Sequence, residues 1–275
     1  MTTNGTVLVL GGTGKTGRRI VERLQSRGIA VRVGSRSASP AFDWEDRATW
    51  QPALDGATAV YVSYYPDIAV PGAPETVGAL AEEARRQGVK RLVLLSGRGE
   101  EEAQRAERMV QDIGIEWTVV RCSWFNQNFS EDYLLEPIRA GEVALPAGNM
   151  PEPFVDTEDI ADVAVAALTE AGHTGHVYEL TGPRLLTFAE AIAEIGRGTG
   201  RELRYVPVTV DDYAAEAAQH GLPEEVLDLM RYLFSEVLDG RNAMLADGIR
   251  QALGREPRDF ADYVRDTAAT GVWNP

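Results

Sequence analysis

Apolar positions recur along this chain in two rhythms. Short runs rich in Val and Leu stand at Thr6-Val7-Leu8-Val9-Leu10, Ala30-Val31-Arg32-Val33, Ala59-Val60-Tyr61-Val62, Arg91-Leu92-Val93-Leu94-Leu95 and Trp117-Thr118-Val119-Val120. Such runs, with little polar alternation, predict strands buried on both faces of a sheet. Helical spacing fills most of the gaps. Over 18–28, Ile20, Val21 and Leu24 share one face ahead of a stop at Gly28; further helices are expected over 74–87 and 100–112. Residues 37–57 look too irregular for a long helix, so a short strand near Phe42 and a short helix over 48–54 are expected there. Repeated strand–helix–strand units predict right-handed crossovers and an α/β, doubly wound parallel sheet with helices on both faces.

The pattern changes after residue 122. Aromatic Trp124, Phe125 and Phe129 open a helical region, and 141–153 is rich in Gly and Pro. A helix over 156–170, with Ile160, Val163, Ala164 and Ala167 inward, and a strand over 177–180 return to the first rhythm. From Thr187 onward the spacing predicts helices around one strand at 203–208.

The first strand runs directly into Gly11-Gly12-Thr13-Gly14-Lys15-Thr16-Gly17, and a helix follows. Gly12, Gly14 and Gly17 give the spacing G-x-G-x-x-G, and Gly11, Gly14 and Gly17 the related G-x-x-G-x-x-G. Glycine is needed here because the backbone must turn tightly from strand to helix with its N–H groups toward a pyrophosphate. The strand before and the amphipathic helix after supply the context that makes the motif specific. An NTP-binding P-loop would need glycine at position 9, where the chain has Val9 inside the strand. The N-terminal part is therefore read as a dinucleotide-binding Rossmann core over 1–185, with 123–155 contributing to the substrate pocket. Residues 186–275 are read as a smaller, mostly helical substrate or lid lobe.

An NAD-specific fold of this kind places a carboxylate at the end of its second strand, against the ribose hydroxyls. This chain reads Val33-Gly34-Ser35-Arg36-Ser37. Arg36 offers a fork for a 2′-phosphate, with Ser35 and Ser37 as hydroxyl donors and Lys15 as a second cation, so NADP(H) is expected over NAD(H).

The net charge is −15, which argues against a direct nucleic-acid partner or an anionic membrane and for a small-molecule substrate. Cys122 is the sole cysteine; it reads as a core residue in a protein of the reducing cytoplasm. His173, His176 and His220 lack the company of a metal site, and no metal is expected. The acidic runs Glu100-Glu101-Glu102 and Glu224-Glu225 read as solvated helix starts favoured by the helix dipole, with no catalytic part. Monomer and homodimer both stay open.

Beyond the glycine loop and Arg36, several segments carry a resemblance: Phe42-Asp43-Trp44, Ala59-Val60-Tyr61, Leu94-Leu95-Ser96, Glu107, Trp117-Thr118-Val119-Val120-Arg121, Trp124-Phe125-Asn126-Gln127-Asn128-Phe129 and Leu180-Thr181-Gly182-Pro183. Over nearly its whole length the chain resembles the NmrA-like branch of the atypical short-chain dehydrogenases/reductases, including its quinone-reductase-like and dye-reductase-like members. The resemblance implies Asp43 and Trp44 near the adenine, Tyr64 and Tyr65 beside the middle of the cofactor, and Ser96 and Trp124 near the nicotinamide.

Many enzymes of the wider superfamily protonate their product from tyrosine in a Tyr-x-x-x-Lys pair. Only Lys15 and Lys90 are available, and the residues four before them are Gly11 and Arg86, so this chain cannot form that pair. Hydride transfer needs positioning more than a tyrosine. A quinone, an extended enone or a cationic dye develops a delocalised product that asks little of a proton donor. The expected activity is thus reduction of a small conjugated or aromatic acceptor, with Ser96, Tyr64 and Arg98 as the catalytic candidates. Ser96 is no hydrolase nucleophile, since Gly-x-Ser-x-Gly would need glycine where Leu94 stands. Two other functions stay open: an NADP(H)-binding redox sensor without turnover, and a non-redox enzyme of secondary metabolism on the same scaffold.

Overall fold

A computed structural model describes residues 5–275. Its strands are β1 (Thr6–Leu10), β2 (Val31–Gly34), β3 (Ala57–Val62), β4 (Arg91–Gly97), β5 (Glu116–Cys122), β6 (Glu142–Leu145), β7 (Pro151–Glu152), β8 (His176–Leu180), β9 (Leu186–Thr187) and β10 (Arg204–Pro207). Its α-helices are α1 (Lys15–Ser26), α2 (Trp50–Leu54), α3 (Ala73–Arg86), α4 (Glu101–Gln111), α5 (Asn128–Glu131), α6 (Leu135–Ala140), α7 (Thr157–Thr169), α8 (Phe188–Thr199), α9 (Val210–Gln219), α10 (Glu224–Tyr232), α11 (Gly248–Leu253) and α12 (Phe260–Ala269). Among the described residues no helix is long and apolar enough to cross a membrane.

The chain forms two compact units. The first comprises 1–122, 157–180 and 247–255; the second comprises 123–156, 181–246 and 256–275. The first unit holds a six-stranded sheet in the order β2-β1-β3-β4-β5-β8, parallel throughout. Alternate strand residues go to opposite faces: Leu8, Leu10, Val60, Val62, Leu92 and Leu94 join Leu54, Leu80, Ala84 and Val110 of α2, α3 and α4 in one cluster. On the other face α1 packs along α7, where Glu158 receives Arg19 Nε at 2.5 Å and Asp162 receives Arg23 Nε at 2.7 Å. Burial works against the ionised Glu158, yet bonds from Arg23 and Arg19 outweigh it and hold the carboxyl below its usual range. The doubly wound parallel fold expected from the sequence is the fold found.

Order reverses between β1 and β3. The chain leaves β1 for β2 on one side and returns to β3 on the other, and ligands of such sheets bind outside the carboxyl ends of the strands at this switch.

Two expectations give way to tertiary packing. Phe42 forms no strand: the segment after β2 folds back, Phe42 N–H bonding Ser35 O at 2.9 Å, and Phe42 instead packs against Trp44 and Trp50 with ring centroids 5.0 and 6.3 Å apart. The Gly- and Pro-rich stretch after 141 contains β6, which gains order from parallel pairing with β10.

The second unit has an aromatic core. Phe129, Phe154, Phe188 and Phe260 meet mostly edge to face, and Trp124 adds contacts to Phe188 and Phe234. Trp273 is buried there and its Nε1–H donates to Phe129 O at 2.7 Å. These contacts draw 123–156 into the second unit, where the sequence reading placed that stretch with 1–185. Conversely, 247–255 belongs with the first: Arg255 pairs with Asp159 and Asp162, and a Cβ on Gly248 would overlap the Glu179 carbonyl.

Candidate functional site

Three loops of the first unit converge at the switch point. After β1, Gly11 takes φ +65, a conformation open to glycine at little cost. A Cβ on Gly17 would overlap Gly11 O, and one on Gly12 would come 2.9 Å from Val9 O, so the loop lies flat on the start of α1 because both side chains are missing. Gly14 caps α1 with extended backbone and no side-chain hydrogen bond, no acidic residue occupies the first turn, and Thr13 and Gly14 are exposed. The N–H groups at this helix start face outward with a favourable dipole, the arrangement that suits a pyrophosphate. Thr16 is buried, and its Oγ1 accepts the Tyr61 hydroxyl at 2.9 Å.

The loop after β3 faces the glycine loop: a Cβ on Gly11 would stand 3.3 Å from Ser63 Cβ. Next to Ser63, Tyr64 packs on Trp44 with centroids 4.8 Å apart. Tyr65 is 68% exposed, and the exposed Arg36 lies over its ring, Cζ 5.9 Å from the centroid. Residues from the ends of β2 and β3 thereby meet, a contact no spacing in the sequence announced. Ser35 and Ser37 hydroxyls stand 3.3 Å apart beside Arg36. Asp43 is held by its surroundings: its carbonyl receives Trp50 Nε1–H at 2.8 Å, and its Oδ1 the Glu45 N–H at 3.1 Å.

Ser96 and Arg98 lie further along the same edge, in a chain of side chains dictated by strand register. Ser96 of β4 is opposite Arg121 of β5, and Arg121 opposite Glu179 of β8. Ser96 Oγ donates to Glu107 Oε1 at 2.5 Å, and Arg121 donates to both oxygens of Glu107 and, at 2.7 Å, to Glu179 Oε1. Arg98 Nε completes the ladder on Glu179 Oε2 at 3.3 Å. Glu107 is 2% exposed. The bonds Arg121 donates, those to Glu107 first, raise its pKa against the effect of burial. The Ser96 hydroxyl proton is therefore engaged by a carboxylate. Arg121 and Glu179 escaped the sequence reading as site residues, although a charge inside an otherwise apolar strand is the signal that betrays them.

Glu100 requires a correction. Read as a solvated helix start, it is 8% exposed, while Glu101 beside it is exposed as expected. Its Oε2 is buried with no hydrogen-bond partner. Burial, then the charges of Asp67 and Glu107, push its carboxyl well above the usual range. Cys122 is buried, as a core residue should be, and its thiol is pushed up by burial and by Glu100. Trp124, the remaining candidate, sits in the second unit against Phe188 and Phe234.

Comparison with known proteins agrees with this geometry. The sequence model described as NAD(P)H-binding matches residues 11–171. The chain is 32% identical to agroclavine dehydrogenase of Claviceps fusiformis, over 98% of either protein. It is 30% identical to an NAD(P)H azoreductase of Xenophilus azovorans, over 96% of this chain and 98% of the relative. Among solved structures, the NADPH-dependent quinone oxidoreductase of Escherichia coli complexed with NADPH superposes with TM-score 0.77 at 22% identity, covering 94% of this chain and 99% of that one. Triphenylmethane reductase of Citrobacter sp. complexed with NADP(H) gives 0.75 at 18% identity, covering 96% and 99%. At those identities the superpositions show a shared fold. The family model and the full-length relatives show more: this chain belongs to the NAD(P)H-binding family.

Proposed function

We propose that the protein is an NADPH-dependent reductase that passes hydride to a small conjugated or aromatic acceptor of the quinone type. When bound, the reduced nicotinamide supplies the hydride; the chain's own residues bind and orient. The glycine loop holds the pyrophosphate against the start of α1. Arg36, with Ser35, Ser37 and Lys15, takes the 2′-phosphate, and Asp43 and Trp44 border the adenine. Tyr64 and Tyr65 lie along the middle of the cofactor, and Ser96 stands near the nicotinamide end.

The observation that carries the preference for NADPH is Arg36. It stands exposed beyond β2 where an NAD enzyme keeps a carboxylate, and it lies over Tyr65, on the edge that faces the crevice. The acceptor class follows from the chemistry left available. With no Tyr-x-x-x-Lys pair and the Ser96 proton held by Glu107, an acceptor that delocalises its new charge suits the site better than a simple ketone. Relatives named as an NAD(P)H azoreductase and an agroclavine dehydrogenase support a redox reaction on this scaffold.

Tryptophan fluorescence titrated with NADPH, NADP⁺ and NADH, followed by reduced-nicotinamide absorbance on adding a simple quinone, tests the reading. Arg36→Glu is expected to weaken NADPH binding roughly 10- to 100-fold or more, the loss of a charge-assisted pair of about 1.5–3 kcal/mol, and to leave NADH nearly unchanged. Tight binding without oxidation of NADPH by any acceptor would favour the sensor. Absence of dinucleotide binding would overturn the reading altogether.

A further inference from the structure

Hydride addition leaves the acceptor short of one proton, and the ladder of side chains beside β4 does not offer one. Its members balance: Glu107 and Glu179 against Arg121 and Arg98, with the Ser96 hydroxyl donating into it. Glu100 stands next to this ladder. A Cβ on Gly97 would overlap both Glu100 carboxyl oxygens, so the group lies flat on the backbone at the carboxyl end of β4, on the edge where such sheets bind their ligands. Its Oε2 is buried and unpartnered, an arrangement far less costly for a neutral acid than for a carboxylate.

On the reductase reading, we propose that Glu100 is the proton donor of the reaction. The Glu100 O–H bond breaks as an O–H or N–H bond forms on the acceptor; the acceptor is reduced by hydride plus proton, and the nicotinamide is oxidised. The carboxylate left behind is unfavourable in that setting and regains a proton from solvent. The groups facing it are Asp67 on the loop after β3, Glu107 on α4, Cys122 on β5, Arg98 in its own turn, and Glu179 of β8 through Arg98.

Infrared difference spectroscopy of the unliganded protein near neutral pH, wild type minus Glu100→Gln, should show one protonated-carboxyl stretch that the variant lacks. Glu100→Gln should bind NADPH as wild type does, yet reduce quinone about 100-fold more slowly or worse in single turnover, the usual contribution of a general acid. Asp67→Asn removes the neighbouring charge that holds the proton on Glu100, so the alkaline limb of its rate profile should move to lower pH. This shift is not expected from a merely structural residue. A stretch that survives in Glu100→Gln, or single-turnover rates and an alkaline limb matching wild type in both variants, overturns the proposal. A wild-type protein that oxidises no NADPH with any acceptor sinks the reductase reading and the delivery step with it; the infrared band then still reports separately whether Glu100 holds a proton.

Discussion

The turn after β1 and the turn after β4 lie on one edge of the same sheet and are made from different materials. The first is backbone: its form depends on side chains that are absent at Gly12 and Gly17, and its ligand chemistry is a row of N–H groups. The second is side chain: five residues from three strands, a helix and a turn satisfy one another, and a sixth, Glu100, is left out. A backbone site is encoded within a few consecutive positions. A side-chain site is encoded in register, by which residue of β5 falls between which residues of β4 and β8.

The largest expected effect comes from the second turn. Glu107→Ala leaves Arg121 half-buried with one carboxylate in place of two, and breaking such a pair should cost about 3–5 kcal/mol in urea unfolding. A loss under about 1 kcal/mol would mean that the ladder does not hold that edge together. Gly17→Ala probes the first turn. The new methyl collides with Gly11 O, so about 1–3 kcal/mol of stability should vanish along with measurable NADPH binding; retained binding in a fluorescence titration would show that the loop yields where the geometry says it is tight.

Glu100→Gln should act in the opposite direction from Glu107→Ala. Unfolded, Glu100 ionises near the ordinary 4.5; folded, burial and then Asp67 and Glu107 keep its proton on to higher pH. Above 4.5 the native state therefore binds more protons than the unfolded chain, and wild-type stability falls with rising pH until the folded group also ionises. The slope is about 1.4 kcal/mol per pH unit, and Gln has no proton to release, so the variant should gain on wild type as pH rises. Denaturation at a series of pH values checks this, and parallel curves would sink it. Ser96→Ala is expected to be mildest, about 1 kcal/mol, since Arg121 still bonds both Glu107 oxygens. Its quinone reduction should stay well within the 100-fold that loss of a proton donor would bring.

Much of the first turn could be read from the sequence alone. A five-residue apolar strand, a glycine loop and an amphipathic helix are neighbours in the chain, and Arg36 follows its strand directly. The second turn was legible only in fragments. Ser96, Arg98 and Glu107 stood out, but nothing local says that Arg121 reaches both Glu107 and Glu179. Glu100 reads as solvated for the same reason: an acidic residue opening a helix satisfies the dipole rule whether it is wet or dry, and its carboxyl is dry because it packs on Gly97 at the end of β4. The missing strand at Phe42 has the same origin. Phe42 has strand propensity, but Trp44 and Trp50 offered it a larger contact than an edge pairing would have.

The bond from Tyr61 to Thr16 bears on how this loop could have diverged. Gly14-Lys15-Thr16 looks like the end of an NTPase loop, where the threonine hydroxyl must face a magnesium ion. Here that hydroxyl points into the interior and is occupied by a tyrosine from the neighbouring strand. Turning the loop toward nucleoside triphosphates would take a longer turn and a repacked strand at once, and either change alone gives up the present ligand without gaining the new one. The likeness is a dead end for stepwise change.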